Sequence, residues 1–201
     1  MSVTAVRDRR AERAAATRRE ILDAAWEQVR AEGLGSLVMR DLGARVGMRA
    51  QSLYGYFPSK HAIFDAMFGE SNRELLRRMT ELSPADTPEE GVRELAHVFL
   101  HFCVEDPVRY QLLYQRTIPR FEPSREAFAP ALEVLDEVRV ALGACGVTDD
   151  RAFDAWTAVT QGIAAQQDAN EPGGDRWIRL VDEITDMYLE HYSPTRRRKH
   201  P

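Results

Sequence analysis

Apolar residues recur at helical spacing along the whole chain, and no stretch sustains the apolar/polar alternation with β-branched residues that a strand requires. Ile21, Ala24, Ala25 and Val29 mark one face of a first helix that stops at Gly33. Met39, Leu42 and Val46 stand at i, i+3 and i+7 and predict a short second helix over about 39–46. Gly47 tolerates a positive φ and lets the chain reverse within three or four residues. A third helix is predicted over about 50–57, with Leu53 and Phe57 on one face and Arg49, Gln51, Ser52 and Gly55 off it. Pro58 ends it, because the residue before a proline is driven from the α region, and Ser59 is placed to cap the next helix. Breakers at Ser83-Pro84, Pro88, Pro107, Pro119 with Pro123, Gly143 with Gly146 and Pro172-Gly173-Gly174 divide the rest. The helices between them fall near 60–80, 88–105, 107–116, 125–143, 149–170 and 175–191. The pattern predicts an all-α chain of about nine helices.

Two short helices around a glycine turn are the means by which a helix is presented to DNA. Gly47, Leu53, Tyr54, Tyr56, Phe57, Pro58 and Lys60 form a G-x5-L-Y-x-Y-F-P-x-K pattern, which resembles the signature of TetR/AcrR-family transcriptional regulators. The resemblance covers about Thr17 to Phe68. It implies nine helices, an N-terminal three-helix helix-turn-helix domain, and a larger helical C-terminal domain for ligand binding and dimerisation. It also implies that the third helix enters the major groove while Tyr54, Tyr56 and Lys60 touch phosphates. Arg40, Arg49, Ala50, Gln51 and Ser52 complete the expected DNA-binding set, with Arg49 and Gln51 at the end of the helix that reaches base edges. The chain departs from the family pattern at two places. Val38 stands where a Thr or Ser usually caps the second helix and touches phosphate. Arg49 stands where a Ser or Thr usually begins the recognition helix; arginine accepts no hydrogen bond, so its role is read as a DNA contact.

The formal net charge of −5 over 201 residues argues against nucleic acid only until it is resolved along the chain. Residues 1–60 hold 11 Lys and Arg against 7 Asp and Glu, a net +4, and residues 61–201 hold 16 against 25, a net −9. The basic footprint sits where a DNA-reading module belongs. The expected organisation is a mobile basic arm over 1–16, the DNA-binding domain over 17–60, a regulatory and dimerisation domain over 61–192, and a basic tail over 193–201. Cys103 and Cys145 give neither a disulfide framework nor a metal quartet. No apolar run approaches the ~20 residues of a membrane span, and the Arg-rich start lacks the apolar segment of an export signal. The expectation is a soluble cytoplasmic protein with no membrane partner.

In the C-terminal part, the helix at 88–105 carries Val92, Leu95, Ala96, Phe99, Phe102 and Cys103 on one broad face, as a central helix would. His97 and His101, at i and i+4, are placed on solvated surface rather than at a metal, since no third ligand accompanies them. Phe99, Phe102, Cys103, Tyr110, Tyr114, Phe128, Trp156 and Thr160 are the candidate lining of an effector cavity, with plain core as the alternative. In the helix at 149–170, Phe153, Trp156, Val159 and Ile163 form a bulky face, and Ala158, Gly162 and Ala165 form a smooth one opposite. Together with Ile184 and Tyr188 of the last helix, the smooth face is the expected dimer interface, half of an intersubunit four-helix bundle.

No nucleophile–base pair, phosphate-binding glycine loop or multi-ligand metal spacing is evident, so the chain is not read as an enzyme, and no cofactor is implied. The reading is a bacterial homodimeric DNA-binding regulator, a repressor of a palindromic operator, released by a small apolar or amphipathic effector. The alternative is a DNA-binding dimer whose C-terminal domain binds a protein partner or only dimerises.

Overall fold

In the computed structural model the backbone is described for residues 3–194 and contains, among those residues, nine α-helices and no strand. They are α1 (Val3–Glu32), α2 (Met39–Arg45), α3 (Ala50–Leu53), α4 (Lys60–Thr80), α5 (Pro88–Glu105), α6 (Pro107–Tyr114), α7 (Arg125–Ala144), α8 (Asp150–Asn170) and α9 (Val181–Tyr192). One-turn 3-10 segments stand at Leu34–Ser36 and Ile178–Leu180.

Three elements differ from the spacing-based expectation. The first is α1, which continues through the segment expected as a mobile arm. Ala11, Ala14, Ala15 and Ala16 are strong helix formers with no breaker among them, so the helix simply propagates. The second is α3, which closes after Leu53; the amides of Gly55 and Tyr56 then bond to the carbonyls of Ser52 and Leu53, the tighter i to i+3 pattern. The third is the last helix, which begins at Val181 rather than 175. Gln167 Oε1 accepts from the Trp177 amide at 2.9 Å and the Glu171 carboxylate from the Arg176 amide at 2.8 Å, and both hold the chain in a turn. The basic run Arg196–Lys199 lies outside the described residues, whereas Ser193 is buried and donates to the Cys145 carbonyl at 2.7 Å.

The residues cluster into two units. The first runs to Glu70 and includes Gln111–Ala127; the second comprises Ser71–Tyr110 and the residues from Phe128 onward. Consequently α4, α6 and α7 each begin in one unit and end in the other. The first unit closes around Ile21, Val29, Leu37, Leu42, Leu53, Phe57, Ile63, Phe64 and Met67, all at most 1% exposed. Its segment after α6 grips the start of α4. The Phe121 ring lies 6.0 Å from Phe64 and 6.4 Å from Phe68, and the Ser124 amide and hydroxyl donate to the Asp65 carboxylate at 2.6 and 2.8 Å.

The second unit is organised by α5, which packs against both α8 and α9 and buries Val92, Ala96, Leu100, Phe102 and Cys103. A reciprocal cap starts it: Thr87 Oγ1 accepts from the Glu90 amide and the Glu90 carboxylate from the Thr87 amide, with Pro88 at the first helical position. Beneath it, Trp156 lies 4.9 Å from the Tyr188 ring, and the Tyr188 hydroxyl donates to the Ala152 carbonyl at 2.7 Å.

Candidate nucleic-acid interface

The site begins with the close approach of α2 and α3. Gly47 holds φ at +66°, the left-handed region that a glycine enters without steric cost. The Met48 amide returns to the Gly43 carbonyl at 2.8 Å. A Cβ at Gly43 would stand 2.9 Å from the Met48 carbonyl oxygen and 3.4 Å from the Ala50 amide nitrogen, so only glycine lets the two helices meet here. Met39, Leu42, Leu53 and Phe57 turn inward and are buried. The helix order of the motif is thus set by four apolar anchors and two glycines.

What remains outward is polar. Arg40, Arg49, Gln51, Ser52, Tyr54 and Lys60 are exposed, and Ala50 and Tyr56 are partly so. Tyr54 leaves half of its surface in solvent, an unusual state for an aromatic side chain without a partner surface. Arg40 pairs with its neighbour Asp41 at 3.2 Å, but both are well exposed, and a pair of that kind is worth little and is readily exchanged. Neither Val38 nor Arg49 makes a side-chain cap to the helix it precedes, as the departures from the family pattern implied. Ser59 Oγ accepts from the Ala62 amide at 3.1 Å and caps α4, which sets Lys60 at its first position.

Arg18 of α1 fastens the far end of this surface. Its guanidinium donates to the Tyr56 carbonyl and lies 4.2 Å from the centroid of the Phe57 ring, a cation–π contact. Arg19 pairs with Glu70 of α4, and Arg45 of α2 with Glu32 of α1 at 2.6 Å. Sequence spacing singled out neither Gly43 nor Arg18, because each acts through a partner distant in the chain.

The remaining candidates are distributed as follows. Phe102, Cys103, Tyr110, Trp156 and Thr160 are buried in the second unit, where Phe99 is half-buried. Tyr114 is half-buried in the first unit. Phe128 is 39% exposed and so faces solvent rather than the interior. The Thr160 hydroxyl is occupied by the Trp156 carbonyl at 3.0 Å. Burial raises the Cys103 thiol far above its usual range. A charged neighbour also lies where apolar residues were expected: Arg109 packs its guanidinium 3.6 Å from the Phe102 ring and donates to the Phe102 carbonyl at 2.6 Å, with its own pKa lowered by burial. Asp106 caps the turn that carries it, accepting from the Arg109 amide at 3.1 Å.

His97 and His101 stack with ring centroids 6.1 Å apart, and His97 Nε2 lies 2.8 Å from Asp182. With Arg78, Glu81, Leu82 and Val98 they line an open groove of about 370 Å³. No three His, Cys, Asp or Glu side chains among the described residues stand together as a metal site.

On the expected dimer face, Ala158, Gly162 and Ala165 are exposed, and Ile184 is partly so. Tyr188, at 6% exposure, is buried within the chain and held by its bond to Ala152, and its neighbour Met187, 62% exposed, occupies the open side of α9. Val159 also moves, from the bulky face to the open one at 37% exposure. No described helix is long and apolar enough to cross a membrane.

A glycine-hinged helix pair with a solvent-facing polar row, within an all-helical fold, is the architecture of a helix-turn-helix DNA-binding module. Residues 21–67 match the family described as bacterial regulatory proteins, tetR family. Over those residues the chain is similar to that family. The fold extends the likeness over most of the chain. The solved regulatory protein SCO4313 is 19% identical, with a TM-score of 0.74 over 89% of this chain and 98% of that one. A TetR/AcrR-family transcriptional regulator from Thermobifida fusca is 23% identical, with a TM-score of 0.65 over 88% and 98%. The fatty acid degradation regulator FadR from Bacillus halodurans is 17% identical, with a TM-score of 0.68 over 86% and 94%. At these identities the likeness speaks for the fold. No curated protein sequence matches.

Proposed function

We propose that this regulator is a cytoplasmic homodimeric repressor that binds a palindromic operator through α3 and is released by a small apolar or amphipathic effector taken up by the second unit. The observation that carries the DNA side is the exposed row of Arg49, Gln51, Ser52, Tyr54 and Lys60. Tyr54, Tyr56 and Lys60 are assigned to phosphates, and Arg49 and Gln51 to base edges, where Arg suits guanine O6 and N7 and Gln suits adenine N6 and N7. The dimer is supported by the open face of α8 and α9, where small residues admit a second helix pair. Two recognition helices must then stand about 34–36 Å apart, or a multiple, to enter successive major grooves of one DNA face. An effector releases DNA by preferring the state in which that spacing is lost, since equal affinity for both states shifts nothing. We assign the lever to α4, which starts at Lys60 beside the recognition helix and ends in the second unit.

The direct experiment is selection of bound fragments from random DNA, followed by displacement with a chemically varied set of apolar and amphipathic molecules. Recovery of a two-fold symmetric site supports the reading, and no enrichment of any sequence overturns it. Two substitutions refine the site. Lys60→Ala is expected to weaken binding to operator and random DNA alike and to reduce the slope of log affinity against log salt by about one; an unchanged slope removes Lys60 from the phosphate contacts. Gln51→Ala is expected to relax the selected sequence at one position per half-site at a cost of about 1–3 kcal/mol there. Identical selected sequences for mutant and wild type would show that Gln51 reads no base.

A further inference from the structure

Helix α1 is longer than the unit it belongs to needs. Its buried residues begin at Ile21, and no residue from Arg9 to Glu20 is buried. Isolated helical turns of this length are marginal in water, so the segment is held as an extension of the packed part of α1 and by its alanines. The packed part is anchored firmly: Arg18 is fastened to the turn that follows α3 through the Tyr56 carbonyl and the Phe57 ring, and Arg19 to Glu70. These two arginines are committed to the fold. Arg9, Arg10 and Arg13 are exposed and form no ion pair with the described residues. At 100° per residue they fall within an arc of about 100° on the helix surface, and Glu12 lies outside it.

A row of uncommitted guanidinium groups, rigidly joined to the helix-turn-helix, suits a polyanion with regularly spaced charges. Arginine presents a fork of donors matched to phosphate oxygens. Arg9 lies nine residues before Arg18, about 14 Å along the axis, which corresponds to roughly four base pairs of DNA. We propose that the N-terminal extension of α1 is a second DNA-contacting surface, in which Arg9, Arg10 and Arg13 neutralise backbone phosphates beyond those reached by α3 and the start of α4. This rests on the DNA-binding reading above. Because the arm is helical before DNA arrives, no ordering of a loose chain is needed on binding.

The test uses the full chain and a DNA fragment selected by the wild-type protein, with affinity measured across ~50–200 mM salt, the range over which counterion release is read. The triple substitution Arg9→Ala, Arg10→Ala, Arg13→Ala preserves or raises helix propensity, so folding is not at stake. It is expected to lower the salt slope by about two to three, to shorten the protected footprint by a few base pairs at each end, and to leave the selected sequence unchanged. The matching triple lysine variant keeps the charges and is expected to keep most of the wild-type slope. A triple alanine variant with the wild-type slope and footprint overturns the proposal, as does a lysine variant that loses as much slope as the alanine one. Failure of the wild-type protein to bind any DNA overturns the regulator reading itself and this inference with it.

Discussion

Gly43→Ala is expected to cost the protein its operator binding by a factor of a hundred or more while leaving most of its helical content in place. The added Cβ would sit 2.9 Å from the Met48 carbonyl oxygen, a backbone atom that cannot rotate away as a side-chain tip does. Relief requires α2 and α3 to move apart, which disturbs the return bond from Met48 to Gly43 and swings the recognition helix. The cost in stability falls toward the upper end of the roughly 1–3 kcal/mol typical of overpacked interiors. The effect on DNA is larger, because in the proposed dimer two recognition helices must fit their grooves at once. Gly35→Ala is the control: a Cβ there meets nothing within 4 Å, in the same unit. Wild-type operator affinity in the Gly43 variant, measured by fluorescence anisotropy, would show that the close approach does not set the reading geometry.

Gly162→Arg is expected to convert the proposed dimer to a monomer and to reduce operator affinity by a comparable or larger factor. A Cβ at Gly162 meets nothing within 4 Å in the protomer, and the residue is exposed, so the isolated subunit has room for the new side chain. The penalty arises only if a second subunit covers α8, where an unpaired guanidinium would be buried against a smooth face. This separates a broken interface from a broken fold: the melting of the protomer should change little, while the mass in solution halves. A variant that remains a dimer with normal affinity would place the interface on another face.

The helix-turn-helix was legible because its evidence is local. Gly47, Pro58 and the spacing of Met39, Leu42, Leu53 and Phe57 lie within twenty residues and act on their neighbours. The all-helical class and the limits of α4 and α5 followed from spacing and breakers in the same way. Gly43 is not legible in the sequence, since a glycine inside a helix announces nothing until the carbonyl that faces it is in place. Tyr188 is buried and Val159 exposed, the reverse of what spacing predicts for each, for a related reason. Both flank an apolar arc, and a flank is buried or exposed according to what the neighbouring helix offers; for Tyr188 that was the Ala152 carbonyl, 36 residues earlier. Phe128 follows the same rule and ends exposed, as Val159 does. Nor does composition reveal that Arg109 packs against Phe102, because the chemistry of arginine favours water until an aromatic ring and a carbonyl receive it.

The threefold passage of the chain between its units bears on how such proteins can be recombined. A graft that joins residues 1–70 to the sensory half of another protein would leave behind Gln111–Ala127, and with it the Phe121 ring that shields Phe64 and Phe68 and the Ser124 that holds Asp65. The reading head is therefore not a cassette. Drift in the segment after α6 is constrained by the first turns of α4, so any exchange of that segment must retain or rebuild the clasp at the same time.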